Sequence, residues 1–455
     1  MDFRTFVDLL DSRNELLWVR KPVDREYELG ALLRQAEQRG KAICFERVTG
    51  AHYPAIGGVM TDPDRHALSI GRPPAQMAQP GAWGELIGAA RARPLPAVTR
   101  ATGPAAEIVH TGAAVDIGRL PVPRFFSGDT HRFITAGIGI VMDPETGILN
   151  AGFYRAPVLD GRRISINGGM SSQLNKIYRE TEQQQRHLQI AYVIGAPPAL
   201  LITAGCRIGR NEADLDIAGA LQGSPLELMR CQTSDLLVPA GAEFIIEAEV
   251  DFSESVEHTM GEFPDQYGTS RSPVARITAI THRHDAAMHT IMAGMNREHN
   301  ALGIYIFSGL RGALQAHLTA HFGCVRDIDI NMTPPRTGNR SQVTIAIDKE
   351  SAHQPADLIA AVFAFVYDAF PMERILQRVV IVDTDIDLHN PNDVEWAINM
   401  RAGSKERLCV YESANRKGEG TLRLGIDATL DANQRESGRR PAIPDEGDYL
   451  LERYL

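Results

Sequence analysis

One arginine and two glutamates offer the clearest acid–base chemistry in the chain. Arg155 ends the segment Asn150-Ala-Gly-Phe-Tyr-Arg155, and two carboxylates bracket Glu257-His-Thr-Met-Gly-Glu262. A guanidinium is always charged and binds planar anions through two parallel hydrogen bonds. Two carboxylates that share one arginine can have separated pKa values, so that one stays ionised while the other carries a proton. This set indicates an enzyme that binds an anionic ligand and transfers a proton.

The spacing of the two glutamates places a condition on that interpretation. Residues five apart in a strand point to opposite faces, so a bend near Gly261 is needed to bring Glu257 and Glu262 together. Without the bend, both belong to a solvated acidic segment between residues 251 and 265. Arg155 taken alone is more simply interpreted as an ordinary surface arginine.

Oxygen-bearing side chains near the same segments suit a hard divalent cation. Asn150 and Asp214 are candidate ligands for Mg²⁺ or Mn²⁺, and Glu212 and Asp216 are nearby alternatives. The residues alone do not choose between Asp214 and Glu212 as the carboxylate ligand. The histidines show no His-Glu-x-x-His arrangement, which disfavours a zinc hydrolase, and glycine-rich phosphate-binding motifs are absent.

Composition excludes several classes of protein. A net charge of -10 does not supply the basic face that a general nucleic-acid binder needs. Five cysteines without Cys-x-x-Cys spacing disfavour a disulfide framework or a zinc site and indicate a reducing compartment. No apolar run approaches the ~20 residues of a membrane span. We therefore expect a soluble cytoplasmic protein.

The 455 residues are enough for two or three domains. Residues 1–104 alternate helical and strand patterns, which predicts a small α/β domain. Residues 105–300 contain many strand-like runs, Leu200–Thr203 among them, which favours a barrel-like, mostly antiparallel domain. Residues 301–455 predict a second α/β domain. The polar tail after Asp427 is expected to be an extended arm.

The order of these segments resembles the UbiD-type family of reversible decarboxylases, which use prenylated FMN. That family shows an Asn-x-x-x-x-Arg segment, a later acidic segment with Ala-Gly, and a final acidic segment. This chain has Asn150 to Arg155, then Asp214-Leu-Asp-Ile-Ala-Gly-Ala220, then Glu257 to Glu262. Further matching blocks lie at 195–199, 226–231, 235–239, 382–387, 393–397 and 425–429. The resemblance therefore extends over nearly the whole chain.

The resemblance implies an α+β, multidomain fold. Its parts are an N-terminal α/β piece (1–104), a central split β-barrel that binds the flavin (105–300) and a C-terminal α/β dimerisation domain (301–455). The implied reaction is reversible, non-oxidative decarboxylation of an aromatic or heteroaromatic acid, with CO₂ as product. A phenolic or cinnamate-type acid, an FMN-dependent redox reaction and a non-catalytic carboxylase subunit are the alternatives.

The resemblance also implies the cofactors and their ligands. Prenylated FMN, supplied by a flavin prenyltransferase, would bind together with Mn²⁺ (or Mg²⁺) and K⁺, in a homodimer or higher oligomer. The implied catalytic set is Arg155, Glu257 and Glu262. The implied cofactor-binding residues are Asn150, Gly152, Phe153, Arg155, Ser172, Gln173, Gly205 and Cys206. The implied metal ligands are Asn150, Gln173 and Asp214. The family usually has Glu at the place of Asp214 and His near that of Gln173.

The residues that contact the far side of the substrate are expected around Met292, Asn296 and His299. Methionine adapts to flat apolar rings, and Asn or His can hydrogen-bond a ring heteroatom. This favours an indole-, pyrrole- or furan-type acid. The alternative is that His299 only packs between domains. For dimerisation, the apolar residues of 355–382 are the predicted surface, unless they form the core of their own domain.

Overall fold

The computed structural model describes most of the chain, and all structural statements below refer to that part. The described residues are 1–79, 81–168, 172–184, 187–206, 208–262, 266–294, 296–303, 305, 308–331, 342–348, 355–369, 376–414 and 420–430. The predicted arm after Asp427 therefore falls largely outside the described residues.

Helices and strands both occur throughout the described residues. The helices are α1 Phe3–Ser12, α2 Glu28–Gln38, α3 Pro63–Ser69, α4 Pro74–Met77, α5 Ala82–Ala92, α6 Gln173–Gln183, α7 Pro198–Gly205, α8 Asp214–Gln222, α9 Arg297–Gly303, α10 Ser308–His321, α11 Pro355–Ala369 and α12 Pro391–Arg401. The strands are β1 Leu16–Val19, β2 Ala42–Phe45, β3 Ala55–Gly57, β4 Val98–Thr99, β5 Ile108–Thr111, β6 Arg132–Ile134, β7 Ile138–Met142, β8 Leu149–Phe153, β9 Ala156–Val158, β10 Arg163–Ser165, β11 Leu188–Ile194, β12 Glu227–Arg230, β13 Leu237–Pro239, β14 Phe244–Gly261, β15 Tyr267–His282, β16 Met288–His289, β17 Val325–Asn331, β18 Gln342–Ile347, β19 Arg378–Asp383, β20 Leu408–Ala414 and β21 Gly420–Ala428. This mixture confirms the α+β class.

The chain divides into two compact units, Met1–Gly309 and Leu310–Leu455. In the first unit, the largest sheet has the strand order β6-β9-β10-β15-β14-β11-β7-β8, and β5 also pairs with β15. Its pairs are antiparallel, as expected for this part of the chain. Along the described strands the order is an open path, so no closed barrel is formed.

The N-terminal and central segments share two smaller sheets within the first unit. β16 pairs with β3 in the sheet β1-β2-β3-β16, and β4 pairs with β12 in the sheet β13-β12-β4. In each case a strand from the first hundred residues pairs with one distant in sequence. Such non-local pairing is not visible in the local pattern from which two separate domains were expected.

One predicted strand is a helix. Leu200–Thr203 lies inside α7, which begins at Pro198 after Pro197. Each residue of that run is buried. A short run that is apolar on every side reads equally well as a buried strand or a buried helix, because periodicity cannot separate the two. The two prolines favour the helix. Proline has no backbone N–H, and at the first positions of a helix that N–H would have no partner within the helix.

The second unit contains a five-stranded sheet with the order β17-β18-β19-β21-β20 among its described residues. The apolar residues predicted for a dimer surface are mostly buried within this unit. Those that the structure describes as buried are Leu358, Ile359, Val362, Phe363, Val366, Val379 and Ile381. They form the core of their own unit, which was the alternative interpretation. Phe370 and Ile375 lie outside the described residues.

A buried acidic pair joins α2 and α9 in the first unit. Glu37 and Glu298 are both inaccessible to solvent. Glu298 accepts hydrogen bonds from the backbone N–H of Gly58 (2.7 Å) and Met60 (2.9 Å). Glu37 accepts one from the N–H of Arg297 (2.7 Å). Burial, and then the neighbouring Glu298, raise the pKa of Glu37 to about 8.

This raised pKa predicts a stability that falls as the pH rises. Between the ordinary value of 4.5 and about 8, the folded chain holds a proton on Glu37 that the unfolded chain has lost. In the wild type the free energy of unfolding should therefore fall by up to about 1.4 kcal/mol per pH unit. The Glu37→Gln variant should lack this dependence on pH. Thermal melting of the variant and the wild type from pH 5.5 to 8.5 measures this difference.

The control is Glu85→Gln, which replaces an exposed glutamate on α5. It should keep the wild-type dependence on pH. An unchanged dependence in Glu37→Gln would show that Glu37 is ionised in the folded chain at neutral pH.

Candidate active site

Arg155 connects the ends of two strands of the large sheet. It lies in the turn between β8 and β9, and its Nη1 donates to the carbonyl of Gly261 (2.8 Å) at the end of β14. Its Nη2 donates to Oε2 of Glu262 in a short ion pair. The side chains are 18% and 26% exposed. The pair is thus partly screened from water but still open to a ligand.

The end of β14 is held by a buried carboxylate. Asp129 accepts a hydrogen bond from the N–H of Gly261 (2.9 Å) with one oxygen and from the N–H of Phe126 (3.0 Å) with the other. A Cβ atom at Gly261 would lie 2.5 Å from the ring of Phe126. Only glycine permits this close approach. The contact fixes the backbone directly before Glu262.

Glu257 lies on the other face of β14. The strand continues in register with β15 through Gly261, so the required bend is not present. The side chain of Glu257 is 62% exposed, and its nearest cation is Arg271 at 3.7 Å. By contrast, His258 and Met260 on the alternate face are buried. The structure therefore brings together Arg155 and Glu262 of the predicted catalytic set, and does not bring Glu257 to them.

The three predicted metal ligands meet where β8, α6 and α8 adjoin. Nδ2 of Asn150, on β8, donates to Oε1 of Gln173 and to Oδ2 of Asp214 (3.3 Å). The same Oδ2 accepts from the N–H of Ala151 (2.9 Å). Gln173 and Asp214 are the first residues of their helices. The oxygens of Gln173 and Asp214 meet at the amide of Asn150, and amide and carboxylate oxygens are ligands that suit a hard divalent cation.

The two candidate carboxylates, Glu212 and Asp214, have different partners in the structure. Both oxygens of Glu212 accept from Arg91 (2.7 and 2.8 Å), and one of them also accepts from the N–H of Gly209. Asp214 is only 3% exposed, and burial raises its pKa to about 7. A cation beside it would favour the ionised form. Asp214 is the carboxylate placed next to Asn150.

The remaining predicted cofactor residues have mainly backbone or packing contacts. Oγ of Ser172 caps α6 by accepting from the N–H of Asn175 (3.1 Å). Gly152 and Phe153 follow Asn150 on β8, and Phe153 is half-buried. At the end of α7, a Cβ atom on Gly205 would lie 2.7 Å from the carbonyl of Leu302. Burial raises the pKa of the Cys206 thiol to about 12, which keeps it protonated.

The predicted substrate residues are occupied by contacts within the first unit. Met292 belongs to a buried cluster with Leu29, Leu33 and Phe125. Oδ1 of Asn296 accepts from Nε of Arg34 (3.2 Å), and its Nδ2 donates to the carbonyl of Ala293. His299 is half-buried on α9, with Nδ1 3.4 Å from the carbonyl of Gly294.

Two residues of this region were not singled out from the sequence. The hydroxyl of Tyr154 donates to Oδ1 of Asn150 (2.8 Å). Strand alternation was an available signal, because residues 150, 152 and 154 share one face of β8. Asp129 is the second. It lies in the turn that begins at Phe126, and no pattern in the sequence predicts its hydrogen bond to the N–H of Gly261.

Comparison with known proteins identifies the family of the chain. Three models of 3-octaprenyl-4-hydroxybenzoate carboxy-lyase match the chain: the N-terminal domain over residues 7–79, the Rift-related domain over 97–296 and the C-terminal domain over 310–428. The matches define a carboxy-lyase. The chain belongs to the UbiD family, as the motifs of the sequence predicted.

Solved structures of the same class cover the complete chain. The UbiD-class enzyme HmfF from Pelotomaculum thermopropionicum in complex with FMN is 29% identical, covers 100% of both chains and has a TM-score of 0.85. An evolved dimeric form of HmfF in complex with prFMN is also 29% identical over 100% of both chains, with a TM-score of 0.82. An uncharacterized protein of Synechocystis is 25% identical over 94% of this chain and 89% of its own length. No helix in the described residues has the length and apolar character needed to cross a membrane.

The contact between Gly261 and Phe126 predicts the effect of one added methyl group. Gly261→Ala should force the ring or the end of β14 to move, at a cost of about 1–3 kcal/mol. A lower melting temperature measures this cost. Gly88→Ala on α5 is the control, because a Cβ atom there meets nothing within 4 Å. If both variants melt like the wild type, the close approach at Gly261 does not constrain the fold.

Proposed function

We propose that the protein catalyses the reversible, non-oxidative decarboxylation of an aromatic or heteroaromatic acid with prenylated FMN. The observation that carries this proposal is the ion pair between Arg155 and Glu262, held by Gly261 and Asp129 at the end of β14. Membership of a carboxy-lyase family and the FMN and prFMN complexes of HmfF support it.

In the proposed reaction, Arg155 binds the carboxylate of the substrate. That contact competes with its bond to Glu262, and a carboxylate that loses a cationic partner more readily takes up a proton. Glu262 then delivers this proton to the ring carbon from which CO₂ has departed. The bond to the carboxyl carbon breaks, a bond to hydrogen forms, and the reverse sequence is carboxylation. When bound, prenylated FMN would supply the electron sink for the released electron pair.

The cofactor site is proposed along β8 and the adjoining helix ends. Asn150, Gln173 and Asp214 would hold Mn²⁺ or Mg²⁺, which neutralises phosphate charge, with K⁺ close by. The flavin would contact Gly152, Phe153, Arg155, Ser172, Gly205 and Cys206. In this proposal the antiparallel sheet of the first unit is the split barrel that holds the flavin.

The indole-, pyrrole- or furan-type preference is the most specific part of the proposal. Met292, Asn296 and His299 all have contacts within the first unit, so His299 would have to exchange its contact with Gly294 to hydrogen-bond a ring heteroatom. A panel of aryl, heteroaryl and acrylic acids tests it with protein produced with and without a flavin prenyltransferase. The measurements are CO₂ release and H/D exchange at the product carbon.

We expect turnover of heteroaryl acids that depends on the prenyltransferase. Activity on cinnamate-type acids alone would contradict the heteroaromatic preference. A redox activity that is indifferent to the prenyltransferase would favour an ordinary FMN enzyme. Failure to release CO₂ from any acid would favour a non-catalytic subunit.

Glu262→Gln should lower turnover by roughly 10²–10⁴, because the variant has no proton to deliver. Flavin content should stay at the wild-type level, measured by the absorbance of the purified protein. Glu257→Gln is the matched variant, since it removes the second carboxylate of the predicted set. Full activity in Glu257→Gln would remove Glu257 from that set, whereas full activity in a loaded Glu262→Gln would contradict the role of Glu262.

We also propose a homodimer formed through the second unit. Its described residues include the exposed apolar side chains of Leu408, Val410 and Leu422 on the neighbouring strands β20 and β21. Burial of such side chains against a second copy would favour association. Light scattering should give twice the mass of the chain, and a monomer at micromolar concentration would contradict the dimer.

A further inference from the structure

The buried hydroxyl of Tyr154 donates to the Oδ1 atom of Asn150 and also lies within reach of the backbone N–H of Leu174. Tyr154 is 7% exposed and lies in an apolar cluster beneath β8. Its hydroxyl donates to Oδ1 over 2.8 Å. Asn150 is the central residue of the proposed cation site, so the contact bears directly on how that residue is oriented.

The amide of Asn150 points its nitrogen toward the other two ligands. Nδ2 has two hydrogens, and its two acceptors are Oε1 of Gln173 and Oδ2 of Asp214. With Oδ1 accepting from Tyr154, each polar atom of this amide is paired. The opposite orientation would set three oxygen acceptors against one another, which is unfavourable unless a cation lies between them.

Coordination of a cation by Asn150 requires that opposite orientation. A metal ion binds the amide oxygen, so Oδ1 must take the place at which Nδ2 lies in the structure. A rotation of about 180° about the last side-chain bond exchanges the two atoms. Nδ2 then faces Tyr154, and a hydroxyl can accept a hydrogen bond as well as donate one.

We propose that Tyr154 is a positioning residue for the cation site, and that its hydroxyl serves Asn150 in both orientations. It donates to Oδ1 in the orientation shown, and it accepts from Nδ2 when Oδ1 binds the cation. This inference rests on the cation site of the proposed function. It assigns to Tyr154 a task that phenylalanine, which has nearly the same shape, cannot perform.

The two orientations do not depend equally on the hydroxyl. Without it, the orientation shown leaves one buried carbonyl unpaired, whereas the cation-binding orientation leaves the Nδ2 hydrogens without their acceptor. Orphaned buried N–H groups are rarer in proteins than under-satisfied C=O groups. Loss of the hydroxyl should therefore weaken cation binding as well as folding.

The chain contains matched control residues for this test. Tyr178 and Tyr192 are buried in the same cluster, and their hydroxyls have no hydrogen-bond partner in the described part of the chain. Phenylalanine at either position removes an unpaired hydroxyl, which should leave cation binding unchanged. The three Tyr→Phe variants thus differ in whether the lost hydroxyl contacts Asn150.

The test is titration of the purified full-length chain with Mn²⁺, followed by the loss of the free-ion signal in electron paramagnetic resonance. Tyr154→Phe removes one hydrogen bond in either orientation, so the dissociation constant should rise only by the difference between the two losses, about threefold to fivefold. Tyr178→Phe and Tyr192→Phe should match the wild type. A dissociation constant of wild-type size in Tyr154→Phe would overturn the proposal.

Asn150→Asp separates reorientation from simple support. A carboxylate offers one oxygen to the cation and the other to Tyr154, so it binds without exchanging its atoms. In the Asn150→Asp background, adding Tyr154→Phe should change the dissociation constant by less than about twofold, because the hydroxyl then contributes equally with and without cation. If Tyr154→Phe raises the dissociation constant as much in the Asn150→Asp background as in the wild type, the two-orientation proposal is wrong.

A failure of the cation site gives a different result. If the wild type and both control variants bind no Mn²⁺ or Mg²⁺, the proposed cofactor site is wrong and Tyr154 has no such task. If the wild type binds, Asn150→Ala binds weakly and Tyr154→Phe binds normally, only the inference about Tyr154 is wrong.

Discussion

The link from Arg155 to the end of β14 is the interaction on which the candidate site depends. β8 and β14 are not neighbours in the large sheet, because β7 and β11 lie between them. The guanidinium bridges their ends through one backbone carbonyl and one carboxylate. A planar, permanently charged group can hold two partners at fixed directions, which a lysine could not do. β8 also carries Asn150, so the proposed cation site and the pair Arg155–Glu262 are positioned by one strand and the turn that follows it.

The family resemblance supplied the site residues that the structure brings together. Asn150 lies in β8 and Arg155 lies two residues after its end, and the structure gives each a side-chain contact with a residue distant in sequence. Asn150, Gln173 and Asp214 come together, although the residues alone left Glu212 open. Glu212 instead forms an ion pair with Arg91, which lies more than a hundred residues earlier in the chain. No local pattern reports that ion pair, so only the folded structure shows that Asp214, and not Glu212, lies beside Asn150.

Other features could not be predicted because they depend on contacts distant in sequence. The α+β class followed from local periodicity, whereas the sharing of sheets between the N-terminal and central segments depends on pairing of β3 with β16. Glu257 was placed beside Arg155 by resemblance, while its five-residue separation from Glu262 predicted opposite faces. In the structure the geometry of the strand prevails, because β15 keeps β14 extended through Gly261.

Two irregularities in the pairing of β14 with β15 give this hairpin a further property. The register shifts between Glu247 and Ala248 and again between Asp251 and Ser255. Each extra residue in such a bulge exchanges the inner and outer faces of everything that follows. The first shift leaves Thr278 of β15 without a partner residue, whereas the second leaves residues 252–254 of β14 without one. The number of residues in the second shift therefore decides which face the end of β14 presents. If the segment after this irregularity were shifted by one residue, Glu262 would face away from Arg155, so the length of the irregularity at 251–255 sets the face on which Glu262 lies.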